Sequence, residues 1–189
     1  MTIVEHYRKM LNVQRLSGTV KMRSYNLAEH SFGVVSLFLT LCEREGIGVT
    51  SEVIQLVLFH DLAETVTGDL LYPVKNQNSV TKYSWSAIEA EVLDKHPVVS
   101  SFTDSNIEEH LDEKQLAAFK AADILELLLF CYEEVSVGNK NPDLLKVIFT
   151  CEGLLKGSLY LESAVNIMDD EYRRLNLEIG EERRYYVGS

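Results

Sequence analysis

Residues 120–131 read K-A-A-D-I-L-E-L-L-L-F-C. From Ala121 to Cys131 the run is apolar on nearly every side of a helix, and a helix that is apolar all round has to be buried. The spacing predicts one long helix over about 113–137, with this run as the central element of the fold. Asp123 opens the run. A carboxylate in such surroundings is costly unless it is paired or holds a cation. Lys120, one turn earlier, is one candidate partner; a metal ion is the other. Glu126, three residues on, is a second acid that the pattern leaves unexplained.

Outward from this helix the chain reads as helical throughout. Only three prolines occur in 189 residues, and few breakers over that length favour helices. A short amphipathic helix is expected over about 3–12, with Val4, Tyr7 and Leu11 on one face. Residues 14–25 are irregular and carry Arg15, Lys21 and Arg23, a basic island in an acidic chain. Asn26 reads as an N-cap with Glu29 in a capping-box relation. The helix they open runs to about Glu45, with His30, Val34, Leu37 and Leu41 facing inward and Gly46–Gly48 as its stop. Thr50 or Ser51 caps the next helix, expected to reach about Thr65 with Val53, Leu56, Val57 and His60 on one side. A further helix is expected over 82–95, stopped by Pro97, then a weakly patterned stretch over 98–111. The last helical pattern covers 142–176, interrupted near Gly157, ahead of a loosely held tail. No alternating strand pattern stands out. The fold class expected is all-α, a helical bundle of about six or more helices.

Bulk numbers exclude several partners. The chain carries 18 basic and 29 acidic residues, a formal charge of −11. Phosphate backbones need a basic face, so a nucleic-acid polymer is not the expected partner. An anionic membrane surface is disfavoured for the same reason. No apolar run is long enough to cross a bilayer, and the start M-T-I-V-E-H-Y-R-K-M lacks a signal-peptide core. Cys42, Cys131 and Cys151 are an odd set without C-x-x-C spacing. They read as buried apolar residues in a reducing compartment, the cytoplasm.

The chemistry gathers around His60-Asp61. Neighbouring residues on a helix point about 100° apart, so both reach one pocket. A lone H-D pair is ordinary, a core histidine beside an exposed aspartate. Here His30 sits on the apolar stripe of another helix, and Asp123 opens the central run. Glu64 falls at i+4 from His60 and i+3 from Asp61, on the same side. Asp69 follows Gly68, where a turn aims it back. Two imidazoles and two carboxylates suit a borderline divalent ion such as zinc, manganese, cobalt or iron. An ion held so, with open positions, lowers the pKa of bound water toward neutrality. His6, His96 and His110 have no ligand-spaced companions. Trp85, near Tyr83, reads as packing, and the acid-rich 169–182 as a solvated face.

The order H…HD…D, here His30, His60-Asp61 and Asp123, resembles the HD-domain metal phosphohydrolases. Longer strings resemble their bacterial 5′-deoxynucleotidase YfbR group. They are N-L-A-E-H-S around His30, F-H-D-L-A-E-T-V-T-G-D-L from Phe59, P-V-K from Pro73, K-A-A-D-I-L from Lys120 and C-Y-E-E-V-S-V-G-N from Cys131. The likeness covers about 7–155, which implies a single HD domain over 1–189 with a C-terminal helix and tail from 156. It implies a divalent ion on His30, His60, Asp61 and Asp123. Glu64 and Asp69 would be catalytic acids. Arg15 would contact phosphate, with Leu16, Asp69 and Lys75 also lining the substrate site.

The activity implied is hydrolysis of deoxynucleoside 5′-monophosphates to deoxynucleoside and phosphate, by a homodimer or higher homo-oligomer. Two departures fall where the nucleotide sits in the group: Leu16 stands for a tryptophan, and Leu71-Tyr72 for Pro-Thr. A related branch of compact viral HD enzymes uses the same ligand set to release triphosphate from deoxynucleoside triphosphates. A third reading is a non-catalytic nucleotide-binding helical protein.

Overall fold

The structure is a computed structural model, and it describes residues 3–69 and 110–179 with the single positions 87, 88, 91 and 107. The helix expected over 82–95, the stretch 98–111 and the tail after 179 lie largely or wholly outside these residues, as do Lys75, Tyr83, Trp85 and His96. Seven helices and no strand occur among the described residues, in keeping with the all-α reading. Backbone contacts divide the chain into two compact units. The first holds residues 1–18, 25–32 and 49–112; the second holds 19–24, 33–48 and 113–189.

In the first unit, α1 (Ile3–Met10) packs against α4 (Glu64–Thr67). Val4, Tyr7 and Leu11, the face that the spacing marks, stay 59%, 38% and 53% exposed, and among the described side chains of α1 the buried one is Met10. Met10 joins Leu27, Phe59, Leu62 and Ala63 in one cluster, so the helix is turned to bury its last residue. Tyr7 still lays its ring on Phe59, with centroids 5.1 Å apart. The start of α2 (Leu27–Glu45) is built as its sequence dictates: Glu29 N donates to Asn26 Oδ1 and Asn26 N to Glu29 Oε2, both at 3.0 Å. This reciprocal cap satisfies two amide donors that the first turn leaves open.

Thr50 caps α3 (Ser51–Leu58), accepting from Val53 N at 3.4 Å. The helix expected to reach Thr65 stops at Leu58. In a continuing helix the Val57 carbonyl would accept from the amide of Asp61. Here the His60 ring takes that carbonyl, with Nδ1 donating to it at 2.8 Å. The chain tightens into turns closed by Leu62 N to Phe59 O and Glu64 N to Asp61 O, then resumes as α4. A side chain that captures a nearby carbonyl competes with the helix ladder. Gly68, at φ +76, ends α4 and redirects the chain into Asp69.

In the second unit, α5 (Glu113–Ser136) packs against α6 (Pro142–Lys156) and α7 (Glu162–Arg174), and α6 packs on α7. The central run behaves as its composition requires: Ala121, Ala122, Leu125, Leu128 and Cys131 are fully buried. Each such leucine contributes about 1.5–3 kcal/mol relative to an exposed one. The inward stripe of α2 continues here through Val34, Phe38, Leu41 and Cys42; Phe38 takes the core position expected of Leu37, which is half-buried. Glu126 now has a setting. A Cβ on Gly33 would fall 2.6 Å from its Cγ, so the glycine of α2 makes room for the acid of α5. The end of α2 follows the Schellman pattern, with Ile47 N donating to Cys42 O at 2.8 Å and Gly46 at φ +64. Asn141 caps α6, and Leu177 and Ile179 are buried beyond α7.

The basic island is fixed at residues 19–24 by a buried carboxylate. Glu134 accepts from Met22 N at 2.7 Å, Arg23 N at 3.0 Å and Asn139 Nδ2 at 2.8 Å. Burial pushes its pKa up, but the donors from Met22, Asn139 and Arg23 outweigh that and hold it below the ordinary value. The three thiols are buried and form no disulfide. Burial pushes Cys151 up to about 12, with the charges of Asp123 and Glu152 adding to it, so this thiol stays protonated and unreactive.

Candidate functional site

A short two-stranded contact prepares the site in the first unit. Gln14 and Asn26 form an antiparallel bridge; Arg15 N donates to Tyr25 O and Leu27 N to Val13 O, both at 2.9 Å. The bridge ties the segment carrying Arg15 to the N-terminus of α2, one turn ahead of His30. Leu16 follows at φ +50. For a branched side chain that left-handed conformation costs on the order of 1–3 kcal/mol, strain placed directly beside Arg15.

His30, on the first turns of α2, and His60 and Asp61, in the turns between α3 and α4, come together. One ligand atom from each lies within 4.8 Å of the others. Asp61 Oδ2 is 3.3 Å from His60 Nε2 and 3.6 Å from His30 Nε2. The two rings meet edge to face at 5.4 Å. The His60 tautomer follows from its neighbour. A carbonyl only accepts, so Nδ1 carries the proton given to Val57 O, and Nε2 of the neutral ring carries the lone pair. The His30 ring is wholly buried, its Nδ1 3.1 Å from Tyr25 Oη.

Arg15 completes the cluster. Its Nη1 is 2.6 Å from Asp61 Oδ2 and 3.3 Å from Glu64 Oε2. Glu64, at the start of α4, is buried. Burial works to raise the Asp61 pKa. The charges that His60, when protonated, and Arg15 carry, the hydrogen bond that a protonated His60 donates and the charge on a protonated His30 outweigh it and hold the carboxyl well below the usual range. Asp61 is therefore an anion at neutral pH.

Of the residues singled out in the sequence, His30, His60, Asp61, Glu64 and Arg15 are brought together. Asp69 lies half-buried just past Gly68, and Leu16 half-buried beside Arg15. Asp123 lies half-buried on α5 in the second unit. Lys75 falls outside the described residues. Tyr25 was not singled out. The one sequence signal for it is an aromatic residue immediately before a helix cap, where a buried hydroxyl requires a partner.

Two imidazole nitrogens and a carboxylate oxygen within 4.8 Å of one another match what a borderline divalent cation accepts. The donor set thus fits a metal ion. The family model of the YfbR-like 5′-deoxynucleotidases matches residues 2–148. The chain belongs to this family. A 5′-deoxynucleotidase of Shewanella oneidensis is 32% identical over 145 residues, which is 71% of this chain and 74% of that protein. The 5′-deoxynucleotidase YfbR of Salmonella paratyphi B is 32% identical over 155 residues, 75% of this chain and 76% of that one.

Solved structures extend the likeness as one of fold. The HD phosphohydrolase DatZ of cyanophage S-2L, solved bound to dA and one catalytic Zn2+ ion, aligns with a TM-score of 0.67 at 21% identity, covering 93% of this chain and 98% of that one. An HD-domain phosphohydrolase of Listeria innocua aligns with a TM-score of 0.66 at 19% identity, covering 92% and 94%. The fold of this YfbR-like chain is that of the HD-domain phosphohydrolases. No described helix is long and apolar enough to cross a membrane.

Proposed function

We propose that this chain is a divalent-metal-dependent 5′-deoxynucleotidase that converts deoxynucleoside 5′-monophosphates to deoxynucleoside and inorganic phosphate. The observation that supports it most is the convergence of His30, His60 and Asp61 with Arg15 set between Asp61 and Glu64. In this reading His30, His60 and Asp61 hold the ion together with Asp123 of α5, within a single HD domain over 1–189. When bound, such an ion polarises a phosphate oxygen and makes water more acidic; cobalt, manganese, zinc and iron all suit the donor set.

The remaining steps belong to the chain's own groups. The Arg15 guanidinium presents a planar fork of donors, a geometry that matches phosphate oxygens and resists deprotonation. As charge builds on the oxygens around phosphorus, those donors stabilise it. Water attacks phosphorus in line with the bond to the 5′ oxygen. Its proton passes to one carboxylate, and the departing 5′ oxygen takes a proton from the other; Glu64 and Asp69 share these two duties. Leu16 and Lys75 line the nucleotide side. The acidic chain accepts a phosphate because Arg15 and a divalent ion concentrate positive charge in one place.

Three buried thiols outside any disulfide suit a reducing cytoplasm, and the reading includes a homo-oligomer, to be measured by light scattering. The test of function is a panel of deoxy- and ribonucleoside mono- and triphosphates with Mn, Co, Zn and Mg, products identified. Tripolyphosphate from dATP would assign the chain to triphosphate release. Metal and nucleotide binding with no product over hours would make it a non-catalytic binder.

A further inference from the structure

We propose that Tyr25 is a positioning residue that sets the His30 imidazole for metal binding through its hydroxyl, an inference that rests on His30 being a ligand. Tyr25 and His30 are 1% and 0% exposed. Their rings pack edge to face at 6.1 Å, and Tyr25 Oη sits 3.1 Å from His30 Nδ1. A hydroxyl both donates and accepts. Without an ion the pair therefore has two polarities: Oη donating to a bare Nδ1, or Nδ1–H donating to Oη. Once the Nε2 lone pair is committed to a cation, only the second remains.

His60 differs. Its outer partner is the Val57 carbonyl, which only accepts, so that ring holds one tautomer from the start. The two histidines thus reach the same state by different routes, one preset and one selected through a tyrosine. Tyr25 also holds the cation that neighbours the site: its carbonyl accepts from Arg15 N at 2.9 Å. One residue fixes the outer face of a ligand through its side chain and the start of the Arg15 turn through its backbone. Tyr25→Phe removes the first and keeps the second, because the backbone bond and the edge-to-face packing need no hydroxyl.

The test uses the full chain, wild type and Tyr25→Phe, with Zn2+ and Mn2+ titrated in competition with a chromogenic chelator. Outer partners of ligating histidines typically govern metal affinity on the order of 10- to 100-fold, and a loss in that range is expected for Tyr25→Phe. Long-range proton–nitrogen NMR of the zinc-loaded wild type should show His30 protonated at Nδ1, with slow exchange of that proton that quickens in Tyr25→Phe. A role in packing alone would move neither. Equal affinities overturn the proposal and leave His30 as a ligand. A wild type that binds neither ion overturns the ligand reading, and the proposal with it. Should Tyr25→Phe fail to fold, the loaded wild type decides alone: a bare Nδ1 on His30 contradicts the proposal.

Discussion

Arg15 Nη1 and Asp61 Oδ2 are 2.6 Å apart, and that same oxygen is the one His30 and His60 approach through Nε2. One carboxylate oxygen therefore has a guanidinium and two imidazoles within 3.6 Å. In the proposed function this arrangement couples the cation that would bind phosphate, Arg15, to the residues that would hold the metal. Positive charge from either source stabilises Asp61, and each source weakens the other's hold on it.

From this coupling, Arg15→Ala should have opposite effects on two quantities. Loss of a charged hydrogen bond to phosphate removes about 2–3 kcal/mol, a fall in kcat/KM on the order of 100-fold. Metal affinity should rise, since the guanidinium no longer shares Asp61 Oδ2. Parallel kinetics and chelator competition measure both. Arg15→Lys should restore little of the kinetics, because an ammonium cannot reproduce the fork.

Glu64→Gln keeps the shape and the contact with Arg15 but carries no charge and moves no proton. Bound metal should be retained while kcat falls by roughly 100- to 10,000-fold. Metal content by mass spectrometry alongside turnover checks this. Normal turnover would remove Glu64 from the catalytic pair.

Glu134 makes a prediction about stability and pH. Its folded pKa lies below the ordinary 4.5. The stability it contributes is therefore fully present above about 4.5 and is lost as pH falls through the folded value. Glu134→Gln turns an amide group toward the donors of Met22, Arg23 and Asn139 and should cost about 2–4 kcal/mol at pH 7. Urea unfolding should show the gap between the two chains narrowing at pH 3. A gap that stays constant would show that the charge is not what matters.

Much of this fold is legible because its determinants are local. The Asn26–Glu29 cap, the glycine stop at Gly46, the Asn141 cap and the apolar run over 121–131 each specify structure within one or two turns. The rest depends on contacts that spacing does not encode. The helix expected to reach Thr65 looked continuous because apolar spacing says nothing of a His60 ring that takes the Val57 carbonyl. The spacing of α1 marks Val4, Tyr7 and Leu11 as one face, while the cluster around Phe59 and Leu62 takes in Met10. Residue types in order point to His30, His60 and Asp61, whose ligand atoms lie within 4.8 Å of one another. What they left unseen was Tyr25, whose part depends on a bridge between Gln14 and Asn26 that no periodicity encodes.

Asp61→Ala removes the oxygen on which the whole cluster converges. It should abolish measurable divalent-metal binding and lower turnover to background. Chelator-stripped wild type should be equally inactive and should recover when the ion is restored. Full activity in either stripped wild type or Asp61→Ala would contradict a metal mechanism.

The most direct test is product analysis on the metal-loaded wild type with dAMP. The account predicts stoichiometric deoxyadenosine and inorganic phosphate, with dATP giving no tripolyphosphate. Tripolyphosphate from dATP, with dAMP left intact, would contradict it.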